Sequence, residues 1–211
     1  MYLEVYLLDR YINFQFPWMA SFGIDTGSHW DHKCGGVILT SNCILTASHC
    51  FFRKDISNPN PYNKNTKIRL GDQNLNDPSD DTWAKTYEIK AIIKHQDYQG
   101  RGPKNDLAII FTKDKIEFNE RTDKISMLDS PNLAFQANSN VTAKFSAWGY
   151  FDQNRNPSDN LREADFTMFS ESYCNPLFSN SKIKDRLNER NILCAGTDVS
   201  IFQKILSYYI T

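Results

Sequence analysis

His49 stands between Ser48 and Cys50, directly after the apolar run Ile44-Leu45-Thr46-Ala47. Another cysteine, Cys34, comes earlier and is followed by Gly35 and Gly36. An imidazole exchanges protons near neutral pH, so a histidine fixed at the end of a strand is a candidate general base. Taken alone, a histidine is most often a structural or surface residue. The two cysteines change that balance. A Cys34–Cys50 bridge would fasten neighbouring strands, hold the imidazole at a barrel rim and stabilise the fold by about 3 kcal/mol for a loop of this size.

The surrounding pattern supplies elements able to position such a residue. Phe16–Ile24, Val37–Thr40, Ile44–Ala47, Ile68–Gly71, Tyr87–Lys94 and Leu107–Phe111 are short runs rich in β-branched and aromatic residues. Turn-forming stretches at 57–65, 72–81 and 99–106 separate them. Repeated short strands with such breaks predict an all-β barrel or sandwich. Val141–Trp148 and Ala164–Ser170 form a second strand group beyond a connector at 121–136. Glu171–Asn191 is polar and lysine-rich and reads as an exposed helix and loop. In the tail, Ser200 and Gln203 fit a capping box, and Ile201, Phe202, Ile205, Leu206 and Tyr209 fall at helical spacing, which predicts a short amphipathic helix.

Composition narrows the partners. The 211 residues carry a formal net charge of −1, which gives no electrostatic reason to expect nucleic acid or an anionic membrane. No apolar run is long enough to span a bilayer. Five cysteines, Cys34, Cys43, Cys50, Cys174 and Cys194, leave at least one thiol without an internal partner. They form no CxxC pairs, which argues against structural zinc. Disulfide use implies an oxidising, extracellular setting. The first ten residues, with Glu4, Asp9 and Arg10, make a poor signal peptide, so an export signal is expected upstream of this sequence.

Seven blocks then occur in a telling order. They are Phe16-Pro17-Trp18-Met19-Ala20-Ser21, Cys34-Gly35-Gly36, Leu45–Cys50, Ile68-Arg69-Leu70-Gly71, Asn105–Ile110, Ala147-Trp148-Gly149 and Leu193–Gly196. Over about residues 14–196 the chain resembles the chymotrypsin-like (S1) serine proteases, with the flavour of the trypsin-like enzymes of arthropods. The resemblance implies a double six-stranded β-barrel. The first barrel spans 14–120 after a non-family segment at 1–13. A linker and a partial, incomplete second barrel fill 121–196, and an aberrant tail occupies 197–211. It implies serine endopeptidase chemistry on a protein or peptide substrate. His49 is then the general base, and Asp106 the buried carboxylate that orients it. The plainer reading of Asp106 is a turn residue at the start of a strand. Ser48 departs from the commoner alanine, a small change expected to be tolerated. Cys174 and Cys194 resemble the disulfide pair of the second barrel. Cys43 is left unpaired, where a large aromatic residue is common, and is expected to be a buried structural thiol in preference to an intermolecular bridge.

The nucleophile is a departure. No Gly-Asp-Ser-Gly-Gly segment follows Gly196, and the downstream serines, Ser200 and Ser207, lack flanking glycines. The oxyanion donors and specificity pocket belong to that same stretch in the family. The Ile-Val-Gly-Gly run at which family zymogens are cut is also missing, since cleavage after Arg10 would expose Tyr11. The chain as written is therefore expected to be inactive. Three readings stand: an incomplete record of an active secreted protease, a non-catalytic homologue that binds a protein partner, and a degenerate product. The intact His49 and Asp106 favour the first, and the abrupt change after Gly196 resembles a junction.

Weaker signals remain. Asp72, Asp77, Asp80 and Asp81 lie where some relatives bind calcium, although a solvated acidic loop is the plainer reading. His29, Asp31 and His32 suggest a metal but fall in an expected exposed hairpin turn. No other cofactor is indicated. Asn140-Val141-Thr142 is a glycosylation sequon whose use depends on secretion.

Overall fold

A computed structural model describes residues 15–51, 65–77, 82–100, 105–127, 142–150, 156–170, 172, 193–196 and 206–208. Alternation along each strand builds a closed barrel. In β3 (Cys43–Thr46) Ile44 and Thr46 turn inward, in β4 (Thr66–Leu70) Ile68 and Leu70, and in β6 (Ala108–Thr112) Ala108, Ile110 and Thr112. With β1 (Met19–Asp25), β2 (Trp30–Thr40) and β5 (Lys85–Lys94), they close in the order β1-β2-β3-β6-β5-β4. Ile38, Ile44, Ile68 and Ile110 are wholly buried at its centre. Burying each such side chain contributes about 1.5–3 kcal/mol before entropic costs.

Gly36 shows why a glycine belongs in β2. A Cβ there would sit 2.8 Å from the Leu45 carbonyl oxygen and 3.0 Å from Ile44 Cγ2. β2 and β3 approach too closely at that point for any side chain. Gly35 beside it faces open space.

The second unit is an open antiparallel sheet ordered β10-β9-β8-β7 among the described residues. It comprises β7 (Thr142–Tyr150), β8 (Pro157–Phe169), β9 (Leu193–Gly196) and β10 (Leu206–Tyr208). Ala164, Phe166, Met168 and Ala195 form its small core. An all-β protein with one closed barrel and a second, partial one is thus the architecture.

The segment after β4 joins the two units. Leu75 N donates to Asp159 O at 3.0 Å, Leu161 N donates to Gln73 O at 2.7 Å, and Trp148 Nε1 donates to Gln73 O at 3.2 Å. Around these bonds Phe16, Met19, Trp30, Leu75, Trp148 and Leu161 pack as one cluster. The start of the connector hugs the barrel: Asp123 N donates to Pro17 O and Ile125 N to Ile38 O.

Three expectations change. β2 begins at Trp30, so Asp31 and His32 lie on a strand and not in the hairpin turn, which is confined to the residues before Trp30. β8 runs from Pro157, well ahead of Ala164. In the tail, Leu206–Tyr208 is a strand paired with Leu193–Ala195, not part of a helix. A helix of about eleven residues is marginal without packing, and the open edge of β9 offers unpaired backbone groups instead. The polar stretch at 173–191 lies outside the described residues.

Candidate active site

Strand pairing brings the site together. Thr46, the last residue of β3, lies opposite Ala108, the first of β6. The residues just after β3 and those just before β6 therefore meet at one end of the barrel. His49 sits in a 3₁₀ turn, Ser48–Phe51, directly after β3. Asp106 comes two positions before β6. Asn105, just ahead of it, adopts φ 59°, a left-handed conformation that asparagine tolerates better than most residues.

Asp106 accepts two hydrogen bonds from His49. The backbone amide donates to Oδ1 at 2.7 Å, and ring Nδ1 pairs with Oδ2 at 2.7 Å. The carboxylate is 12% exposed and the imidazole 61%. A sheltered carboxylate on Nδ1 holds the proton there and leaves Nε2 bare toward solvent. A neutral imidazole in that tautomer can take a proton at Nε2 and is then stabilised as imidazolium by the carboxylate behind it.

Two covalent and polar ties hold the turn. Cys34 in β2 is bridged to Cys50, with Cα atoms 6.2 Å apart. The bridge therefore links a strand to the 3₁₀ turn, where the sequence had suggested two neighbouring strands. Ser48 is wholly buried and its hydroxyl donates to the carbonyl of Leu107, the residue after Asp106. That carbonyl also accepts from His95 N at 2.8 Å.

Donor atoms of Cys34, His49 and Cys50 lie within 4.8 Å of one another, the one such metal-sized group among the described residues. Bridged sulfurs are not thiolates, and the thiolate is the metal ligand. The other suspected ligands do not converge. Asp72 is buried in an ion pair with Arg69, Asp31 pairs with Lys33, and His29 joins the Thr26 turn. Asp80, Asp81 and Asn140 lie outside the described residues, as do Cys174 and Ser200. Cys43 is free and only half-buried, with its thiol pushed upward in pKa by burial.

His32 is a polar feature that the sequence understated. Ser21, itself wholly buried, accepts from Trp30 Nε1 at 2.7 Å and pairs with His32 Nδ1 at 2.7 Å. The Ser21 hydroxyl accepts from the indole N–H and is placed to donate its own proton to His32 Nδ1. The His32 ring also lies 5.8 Å from that of Trp148. Burial lowers its pKa to about 4, partly opposed by Asp159 and Asp31.

A closed six-stranded barrel with a His–Asp pair at one end, docked on a second antiparallel sheet, defines the two-barrel serine protease class. The family model described as Trypsin matches residues 9–203, and the chain belongs to that family. It is 27% identical over 183 residues to the proclotting enzyme of Tachypleus tridentatus, covering 85% of this chain and 46% of that protein. It is 27% identical over 189 residues to the venom serine protease Bi-VSP of Bombus ignitus, covering 85% and 48%. Duodenase-1 of Bos taurus is 25% identical over 164 residues, covering 78% and 59%. The chain thus spans about half the length of the first two relatives.

Proposed function

We propose that His49 and Asp106 are the general base and its orienting carboxylate in a serine endopeptidase site that acts on peptide bonds. The two-point grip of Asp106 on His49, through both ring and backbone, carries this reading. A carboxylate serving only as a turn residue has no need to fix an exposed imidazole in one tautomer. The nucleophile is not supplied by residues 1–211, because no serine after Gly196 has the glycine setting that aims an oxyanion hole. These residues alone are therefore expected not to cleave. The disulfide and the relatives named as clotting and venom proteases support an extracellular setting. A Cys174–Cys194 bridge and a glycan at Asn140 belong to the same proposal.

Labelling the purified chain with a fluorophosphonate tests the expected inactivity of residues 1–211. No adduct is expected at Ser200 or Ser207, and modification of either would overturn it. A non-catalytic role in binding a protein partner is favoured only by the missing Gly-Asp-Ser-Gly-Gly segment. Nothing in that role accounts for the intact pair.

A further inference from the structure

We propose that Ser48 is a positioning residue, whose hydroxyl sets the register between the turn bearing His49 and the segment bearing Asp106. The proposal rests on the assignment of His49 and Asp106 as base and orienter. Ser48 is adjacent to His49 in sequence, and Leu107 is adjacent to Asp106. The Ser48 hydroxyl to Leu107 carbonyl bond therefore runs beside the catalytic pair, one residue removed on each side.

Three segments converge on the Leu107 carbonyl: the 3₁₀ turn through Ser48, the chain leaving β5 through His95 N, and the approach to β6 itself. A carbonyl oxygen has two lone pairs, and both are used. The arrangement forms a side-chain strut between the two halves of the pair. An alanine at position 48 has nothing with which to make it. Ser48 is wholly buried, so no water readily takes over the role. The disulfide fixes the far side of the turn, at Cys50, and Ser48 fixes the near side. His49 is clamped between them.

Without the strut, the Leu107 carbonyl keeps its bond from His95, so the fold survives. The distance between His49 and Asp106 is then less tightly held, and the Nδ1–Oδ2 hydrogen bond is the first interaction to suffer. Its loss appears as a change in which ring nitrogen carries the proton, because the tautomer follows the partner of Nδ1.

The test is a two-bond ¹H–¹⁵N correlation of the His49 ring in the intact 211-residue chain, read through its carbon-bound protons. The wild type should show the Nδ1–H tautomer. In Ser48→Ala the ratio of Nδ1–H to Nε2–H should fall about fivefold, the size expected from one weakened hydrogen bond. Thr112→Val is the control. Thr112, also buried, makes a similar side-chain bond to the Asp114 carbonyl at 2.8 Å, but at the opposite end of β6. It should leave the ratio unchanged. An unchanged ratio in Ser48→Ala, or an equal fall in Thr112→Val, would overturn the role of Ser48 alone. Absence of the Nδ1–H tautomer from the wild type would overturn the His49–Asp106 assignment, and this inference with it.

Discussion

Asp106 holds His49 by two atoms at once, its Oδ1 on the backbone amide and its Oδ2 on ring Nδ1, each at 2.7 Å. A single bond to the ring would leave the imidazole free to swing about Cβ relative to the strand. Anchoring the amide as well fixes the start of that lever. The residues lie 57 positions apart, and the β3–β6 ladder makes them neighbours.

That grip predicts the effects of substitution in an active context. The context would be a chimaera of residues 14–196 placed between the N-terminal activation segment and the C-terminal segment of an active relative. There, His49→Ala should lower kcat about 10⁶-fold. Asp106→Asn should lower it about 10⁴-fold, because an amide nitrogen facing Nδ1 favours the wrong tautomer. Thermal unfolding of both should stay close to that of the parent chimaera. An Asp106→Asn kcat within tenfold of the parent would remove the orienting role.

The Cys-Gly-Gly block makes a second, sharper contrast. Gly36→Ala forces a Cβ against the Leu45 carbonyl, which cannot move without opening the β2–β3 ladder. It should destabilise the fold by about 1–3 kcal/mol. Gly35→Ala meets nothing within 4 Å and should be within about 0.5 kcal/mol of wild type. Urea midpoints of the two variants decide the matter, and equal midpoints would contradict the packing.

The disulfide gives a third. Replacing Cys34 and Cys50 together by alanine opens a loop with a sequence separation of 16. The loss should be about 3 kcal/mol on the chain-entropy account. Chemical denaturation of this double variant beside wild type measures it. A loss below about 1 kcal/mol would mean that the unfolded chain already holds the two segments close, so that the bridge removes little entropy.

Much of this architecture was legible because it rests on local alternation. Ile44, Ile68 and Ile110 fall on period-two runs, and the barrel arises from burying them together. The His49–Asp106 pair was legible through ordered motifs, not through spacing, since no local rule joins residues so far apart. The rest depended on distant partners. Asp31, His32 and Lys33 look like turn residues, which makes β2 seem short, yet His32 is half-buried, its ring beside Trp148 of the other sheet. Ser48 looks like a harmless departure because its acceptor, Leu107, is distant in sequence. The tail has helical spacing, while the edge of β9 decided otherwise.

His32 carries the last prediction, on pH. Its folded pKa is lowered to about 4 from 6.5, chiefly by desolvation of the ring, which lies beside Ser21 and Trp148. The unfolded chain therefore binds the proton first as pH falls. The stabilisation is fully present above about pH 6.5, declines through the window down to about pH 4, and levels off below it. A shift of this size corresponds to about 3 kcal/mol. Because the ring sits where the barrel meets the second sheet, acid should loosen that joint, which Trp148 fluorescence would track. The measurement is the urea midpoint from pH 7 to pH 4, for wild type and for His32→Gln. The glutamine variant should start less stable at pH 7 and lose less on acidification, since it has no proton to take up. Parallel pH curves for the two proteins would show that His32 does not titrate in this window.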